Sequence, residues 1–133
     1  SVNIIFSLPV DFIFSTTFTI SQGAKNCPFL ILIIFPVFEA FNNKDLDTLS
    51  TLYSNDVRLI DWDIDIEGKE EVLNVNKGLF DLDFTLELNK TYQIENITFN
   101  EITITIGEDV LEIMDVITFN ENYQIENITA YKR

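Results

Sequence analysis

Residues 38–68, FEAFNNKDLDTLSTLYSNDVRLIDWDIDIEG, carry the reading on which the fold turns. Phe38, Ala40 and Phe41 can share one buried helix stripe, and Asn42-Asn43-Lys44 breaks it, because Asn favours helix ends and turns. Asp45 is placed as an N-cap whose carboxylate can accept the free N–H groups of the next turn. Leu46, Leu49, Leu52 and Tyr53 follow at helical spacing, and Ser54-Asn55-Asp56 is expected to end that second helix. Val57 to Trp62 is short and β-branched, so it reads as a strand. Period-two alternation puts Val57, Leu59 and Asp61 on one face and Arg58, Ile60 and Trp62 on the other. Ile66-Glu67-Gly68 reads as a turn, and Val72, Leu73, Val75 and Leu79 predict a third helix beyond it.

Downstream the period changes to two. Phe84, Leu86 and Leu88 alternate with polar residues, as do Ile102, Ile104 and Ile106. The spacing of Ile94 and Ile97 allows a bulge near Glu95-Asn96. Val110 to Phe119 and Tyr123 to Tyr131 are the last two strands, separated by Asn120-Glu121-Asn122. Consecutive strands joined by short turns predict an antiparallel meander, and helices followed by sheet predict an α+β fold with the helices on one sheet face. YQIENIT occurs at 92–98 and again at 123–129, too short a unit for a solenoid repeat.

The strand from Leu111 to Phe119 presents Leu111, Ile113, Asp115, Ile117 and Phe119 on one face. An acid amid apolar neighbours must be hydrogen-bonded, protonated or wet, and burial raises its pKa toward the range useful for proton transfer. Asp115 and Asp61 are therefore the candidate chemical residues, with Asp61 at a strand end in solvent, or Asp115 bonded to a backbone N–H or to Arg58, as the plain structural alternatives. Tyr53, Trp62, Tyr92, Phe80 and Phe84 are placed to line a pocket mouth, although aromatics at such positions are more often plain core.

Composition narrows the chemistry. The chain has 133 residues, enough for one domain, and 12 Phe, which suit an aromatic-lined interior. A net charge of −14 argues against nucleic acid and against anionic membrane surfaces, since both require clustered Lys and Arg. With no His there is no Ser-His-Asp or Cys-His mechanism. The single Cys27 excludes an internal disulfide and a multi-Cys zinc site, and reads as a small core residue. The alternating acids Asp61, Asp63 and Asp65 lack the turn Gly and distal Glu of a calcium loop. No metal and no cofactor is expected. The Asn-X-Thr matches at Asn89, Asn96 and Asn127 carry little weight in so Asn-rich a chain.

Residues 1–35 form an apolar segment of a different character. Asp11 interrupts its apolar run and no basic residue opens it, so it departs from a secretory leader. CPFLILIIF at 27–35 is too short to span a bilayer, and Pro36 sits inside the expected first helix. Two readings stand side by side: a buried element or dimer surface, or residues before about Phe35 arising from a misplaced start or a frame shift. On either, residues 36–133 form the domain.

The run AFNNKDLDTLSTLYSNDVRLIDW at 40–62, IEGKEEVL at 66–73 and the final MDVITFNENYQIENITAYKR at 114–133 together resemble the SnoaL-like branch of the nuclear transport factor 2-like superfamily. The resemblance implies a cone-shaped, curved antiparallel sheet packed on N-terminal helices, a cystatin-like roll enclosing an apolar pocket. Ketosteroid isomerases share that fold, and they work with an Asp base beside an oxyanion hole made of a Tyr and a protonated Asp. By the motif match Asp61 falls on the base and Asp115 on the protonated acid, whereas the Tyr position falls on Val37. Missing Tyr and missing His favour a module that binds a small apolar molecule, with Val37, Tyr53, Trp62, Phe80, Phe84, Ile113 and Ile117 around the ligand. The alternative is an acid/base isomerase, cyclase or dehydratase acting on a carbonyl compound. The resemblance also implies a homodimer through the outer sheet face, where Val110, Met114 and Val116 point. A cytoplasmic location is expected, or export if residues 1–24 are a leader.

Overall fold

The computed structural model describes residues 30–133. Cys27 and the rest of the apolar N-terminal stretch through residue 29 lie outside them. The described chain runs α1 (Ile31–Asn42), α2 (Leu46–Leu52), β1 (Tyr53–Ile60), β2 (Asp65–Glu67), α3 (Lys69–Phe80), β3 (Phe84–Ile94), β4 (Ile97–Ile106), β5 (Asp109–Phe119) and β6 (Ile125–Lys132). The strands form one sheet in the order β2-β1-β6-β5-β4-β3, with the helices packed on its inner face. Pairing is antiparallel except between β1 and β6, so the meander β3–β6 is as expected and the curved, unclosed sheet has the cone shape.

α1 forms because Ile31, Ile34, Val37, Phe38 and Ala40 repeat at helical spacing and bury against the sheet. Pro36 lies on its exposed side. The helix continues unbroken through residues 35 and 36, and Leu30 and Ile34 are fully buried. It ends in a Schellman arrangement: Asp45 N–H donates to Ala40 O (2.8 Å), and Lys44 N–H, at φ 55°, donates to Phe41 O (3.1 Å). Asp45 then caps α2, its carboxylate accepting from Thr48 N–H at 3.1 Å and from the Thr48 hydroxyl at 2.6 Å.

α1 also protects the sheet edge. β3 is terminal in the strand order, so its outer N–H and C=O groups would otherwise be open to another strand. The Asn42 side chain fills that role like a short piece of strand, donating to Leu86 O at 2.7 Å and accepting from Leu86 N–H at 2.8 Å. At the other end of the helix Leu30 N–H donates to Gln93 Oε1 at 3.0 Å.

Three local expectations change. Tyr53 opens β1 rather than closing α2, because its side chain is fully buried in the sheet core and the helix ends at Leu52. Ile66 and Glu67 belong to the short strand β2, which pairs with β1 at Leu59 and Arg58. Glu95-Asn96 is a two-residue hairpin connection, with Ile94 opposite Ile97 and Glu95 at φ 54°. The ladder irregularity in this hairpin lies between Leu88 and Lys90.

Candidate functional site

The register defines the inner surface. Leu88, Ile102 and Ile113 form one cross-strand row on the face that carries the core, and the next row holds Thr91, Asn100, Asp115 and Ala130. An apolar face thus changes to a polar band midway along the strands. Asp115 sits between buried Ile113 and Ile117 on β5. It keeps some open surface, yet protein surrounds its carboxyl closely enough that the charged form is poorly hydrated. Burial first, and the negative charge of Asp61 second, raise its pKa to about 7. The Asp115 carboxyl has no hydrogen-bond partner among the described residues; Asn100 Nδ2 reaches its backbone carbonyl instead, at 3.1 Å. Arg58 does not serve it, being paired through two bonds with Asp65 (2.8 and 2.7 Å) on the exposed side.

Asp61 follows the end of β1. Ile60 is opposite Thr129 on β6, and Ala130, next along, is opposite Asp115. The small Ala130 side chain therefore stands between the two acids. Asp61 is also engaged locally, its Oδ1 accepting from Asp63 N–H at 2.7 Å and Ile64 N–H at 2.8 Å and so holding the turn into β2. Only Oδ2 remains for a ligand or a proton. With Asp61 holding its own turn and Asp65 on Arg58, the alternating acids do not converge on one cation, and no cluster of three or more metal-ligating side chains occurs among the described residues.

A second polar pair lies beneath. α3 turns Val72, Asn76 and Phe80 toward the sheet, one residue in every fourth position. The fully buried Tyr53 hydroxyl donates to Asn76 Oδ1 at 2.6 Å. Burial, then the nearby Asp115 charge, push the Tyr53 phenol well above its usual range. Sequence reasoning misses Asn76, although it occupies a stripe position between two apolar residues, and that is the available signal. It misses Asn100 and Thr91 for the same reason; Asn100 Oδ1 and Thr91 Oγ1 are enclosed without partners.

The other candidate residues separate into two groups. Val37, Ile113 and Ile117 are core residues. Phe80 and Phe84 are also buried, stacked on each other with centroids 5.8 Å apart, and Phe41 meets Phe80 edge-on. Trp62 is exposed, with Lys132 Nζ 4.9 Å from its ring centroid. It lines an open cleft of about 370 Å³ with Asp61, Ala130, Tyr131 and Lys132. A neighbouring cleft of about 400 Å³ reaches Ile102, Ile113 and Arg133. Asp115 lines neither of these two clefts. No helix among the described residues is long and apolar enough to cross a membrane.

No protein-family model matches the chain, and no curated protein matches it significantly. Solved structures do. A candidate ketosteroid isomerase from Kribbella flavida superposes with a TM-score of 0.70 at 15% identity, over 77% of this chain and 76% of that one. A SnoaL-like protein of unknown function from Burkholderia thailandensis gives 0.69 at 16% identity, over 79% and 94%. A nuclear transport factor 2-like protein of unknown function from Cytophaga hutchinsonii gives 0.67 at 12% identity, over 75% and 86%. At these identities the likeness concerns architecture: the chain has the nuclear transport factor 2-like fold, shared with SnoaL-like and ketosteroid-isomerase-like structures.

Proposed function

We propose that the inner face of the cone binds a small apolar molecule and that Asp115 orients it. The observation that carries this reading is an unpartnered carboxyl, raised to about 7, on a face otherwise built of Ile113, Ile117 and Phe119. A buried acid without a partner is costly, and a ligand group that satisfies it offsets the cost. The apolar body would pack on the aliphatic side chains around the acid. The Kribbella flavida neighbour, named for ketosteroid isomerisation, supports an apolar ligand class. Titration with the neutral fluorophore N-phenyl-1-naphthylamine tests the reading. Saturable binding that weakens as Asp115 ionises between pH 6 and 8 is expected; absence of saturable binding to the folded protein would end it.

One observation favours a second reading, an acid/base enzyme. Burial, and then the charge of Asp61, raise Asp115 toward neutrality, where its carboxyl is ready to donate. Asp61 would move a proton through Oδ2 while neutral Asp115 donates to a substrate carbonyl. Isomerisation or dehydration of an enone-forming ketone, lost in both D61N and D115N, is the expected behaviour.

The outer sheet face is the proposed homodimer surface. Val110 and Tyr131 are exposed there beside Met114 and Val116. Light scattering should give twice the chain mass, and V110E should return the monomer.

A further inference from the structure

We infer that Asn76, locked in place by Tyr53, presents its Nδ2 as a ligand-contacting donor and selects apolar molecules that carry a neutral carbonyl oxygen. This deepens the pocket reading and rests on it. The distance settles which amide atom faces which way. At 2.6 Å the contact is short for N–H···O and ordinary for O–H···O, so the Tyr53 hydroxyl donates and Asn76 Oδ1 accepts. Nδ2, with two N–H groups, is then left pointing elsewhere and has no partner among the described residues. Asn76 is only 5% exposed, yet Nδ2, unlike Thr91 Oγ1 and Asn100 Oδ1, is not wholly enclosed, so an acceptor can reach the donor that the Tyr53 bond holds in place.

The surroundings give the chemistry of that occupant. Asn76 faces the sheet on the same stripe as Val72, and Tyr53, its anchor, lies within electrostatic reach of Asp115. The group that binds there must accept, because Nδ2 can only donate. It must also be uncharged, because Asp61 and Asp115 would repel a carboxylate or phosphate. A carbonyl oxygen is uncharged and has two lone pairs to offer Asn76 N–H, so it meets both conditions. Thr91 Oγ1 and Asn100 Oδ1, though also unpartnered, are wholly enclosed and leave no room for a ligand atom. Tyr53 is a positioning residue: it touches Asn76 and fixes the amide.

Matched probes test this. 2-Acetylnaphthalene carries the carbonyl; 2-isopropenylnaphthalene has the same shape without the oxygen. The wild type should prefer the ketone by roughly fivefold, the worth of one neutral hydrogen bond. N76L should bind both equally while keeping its affinity for the hydrocarbon. Y53F, which releases the amide without removing it, should lower the preference part-way. In the wild type, the Asn76 side-chain amide resonances should move with the ketone and stay still with the hydrocarbon, a readout independent of how the variants fold. Equal binding of the two probes to wild type, or unmoved Asn76 resonances, overturns the inference and leaves the pocket reading standing. Failure of both probes to bind overturns the two together.

Discussion

Replacing Asp115 by Asn tests the central electrostatic argument through stability, without any ligand. Asp115 titrates near 7 in the fold against an ordinary 3.8. The folded state therefore holds a proton that the unfolded chain has already released between those two values. Stability falls as pH rises through that window and levels off above it. At 1.36 kcal/mol per pH unit, the full cost of ionising Asp115 in place is about 4 kcal/mol above pH 8. About 2.5 kcal/mol of it accrues between pH 5 and pH 8, because part is already incurred by pH 5. Asn is nearly isosteric and never charges, so it escapes this cost. D115N should be more stable than the wild type at pH 8, and its advantage should shrink by about 2.5 kcal/mol at pH 5. Urea denaturation of both proteins at the two pH values measures the difference directly. A D115N advantage that is the same at pH 5 and pH 8 would refute the reasoning, since it would mean that Asp115 carries the same charge in the folded chain as in the unfolded one.

Three further outcomes are expected. D61N should bring the Asp115 midpoint below about 7, read from the carboxyl ¹³C shift, because the second cause of its elevation is the Asp61 charge; an unmoved midpoint would separate the two acids. Leu49→Ala should cost about 2–5 kcal/mol in urea denaturation, as Leu49 is fully buried where α2 meets the core, and a loss under 1 kcal/mol would show a loosely filled interior there. N42A should speed hydrogen exchange at the Leu86 amide and cost roughly 1 kcal/mol, because it removes the side chain that pairs with that edge residue; unchanged exchange would mean that the edge is guarded otherwise.

Much of the architecture was legible in the sequence because it is set by short-range periodicity. The switch from helical spacing around Leu46–Leu49 to alternation from Phe84 onward announced helices followed by a meander. The same alternation put Asp115 on the face of Ile113 and Ile117, whereas Asp61, expected on the strand face of Val57 and Leu59, follows the end of β1 and holds the turn into β2. Asp45 as a cap followed from its side-chain chemistry alone. The expectations that failed were those in which distant packing competes with local preference. Tyr53 fits the helical spacing of α2, yet its ring gains more by entering the sheet opposite Ile125 and meeting Asn76.

The candidate site depended on tertiary structure for the same reason. The sequence alone determined which way Asp115 and the other side chains of the regular strands face, since side-chain direction in a strand needs only the period of two. Only the folded chain decided how those faces meet. The parallel pairing of β1 with β6 joins segments far apart in the chain and sets Asp61 across Ala130 from Asp115. No local pattern encodes such a pairing; it follows from burying both faces of distant segments at once. The Tyr53–Asn76 bond is likewise a product of α3 docking on β1. Periodicity says which way a side chain points, but only the packing of remote elements says what it finds there.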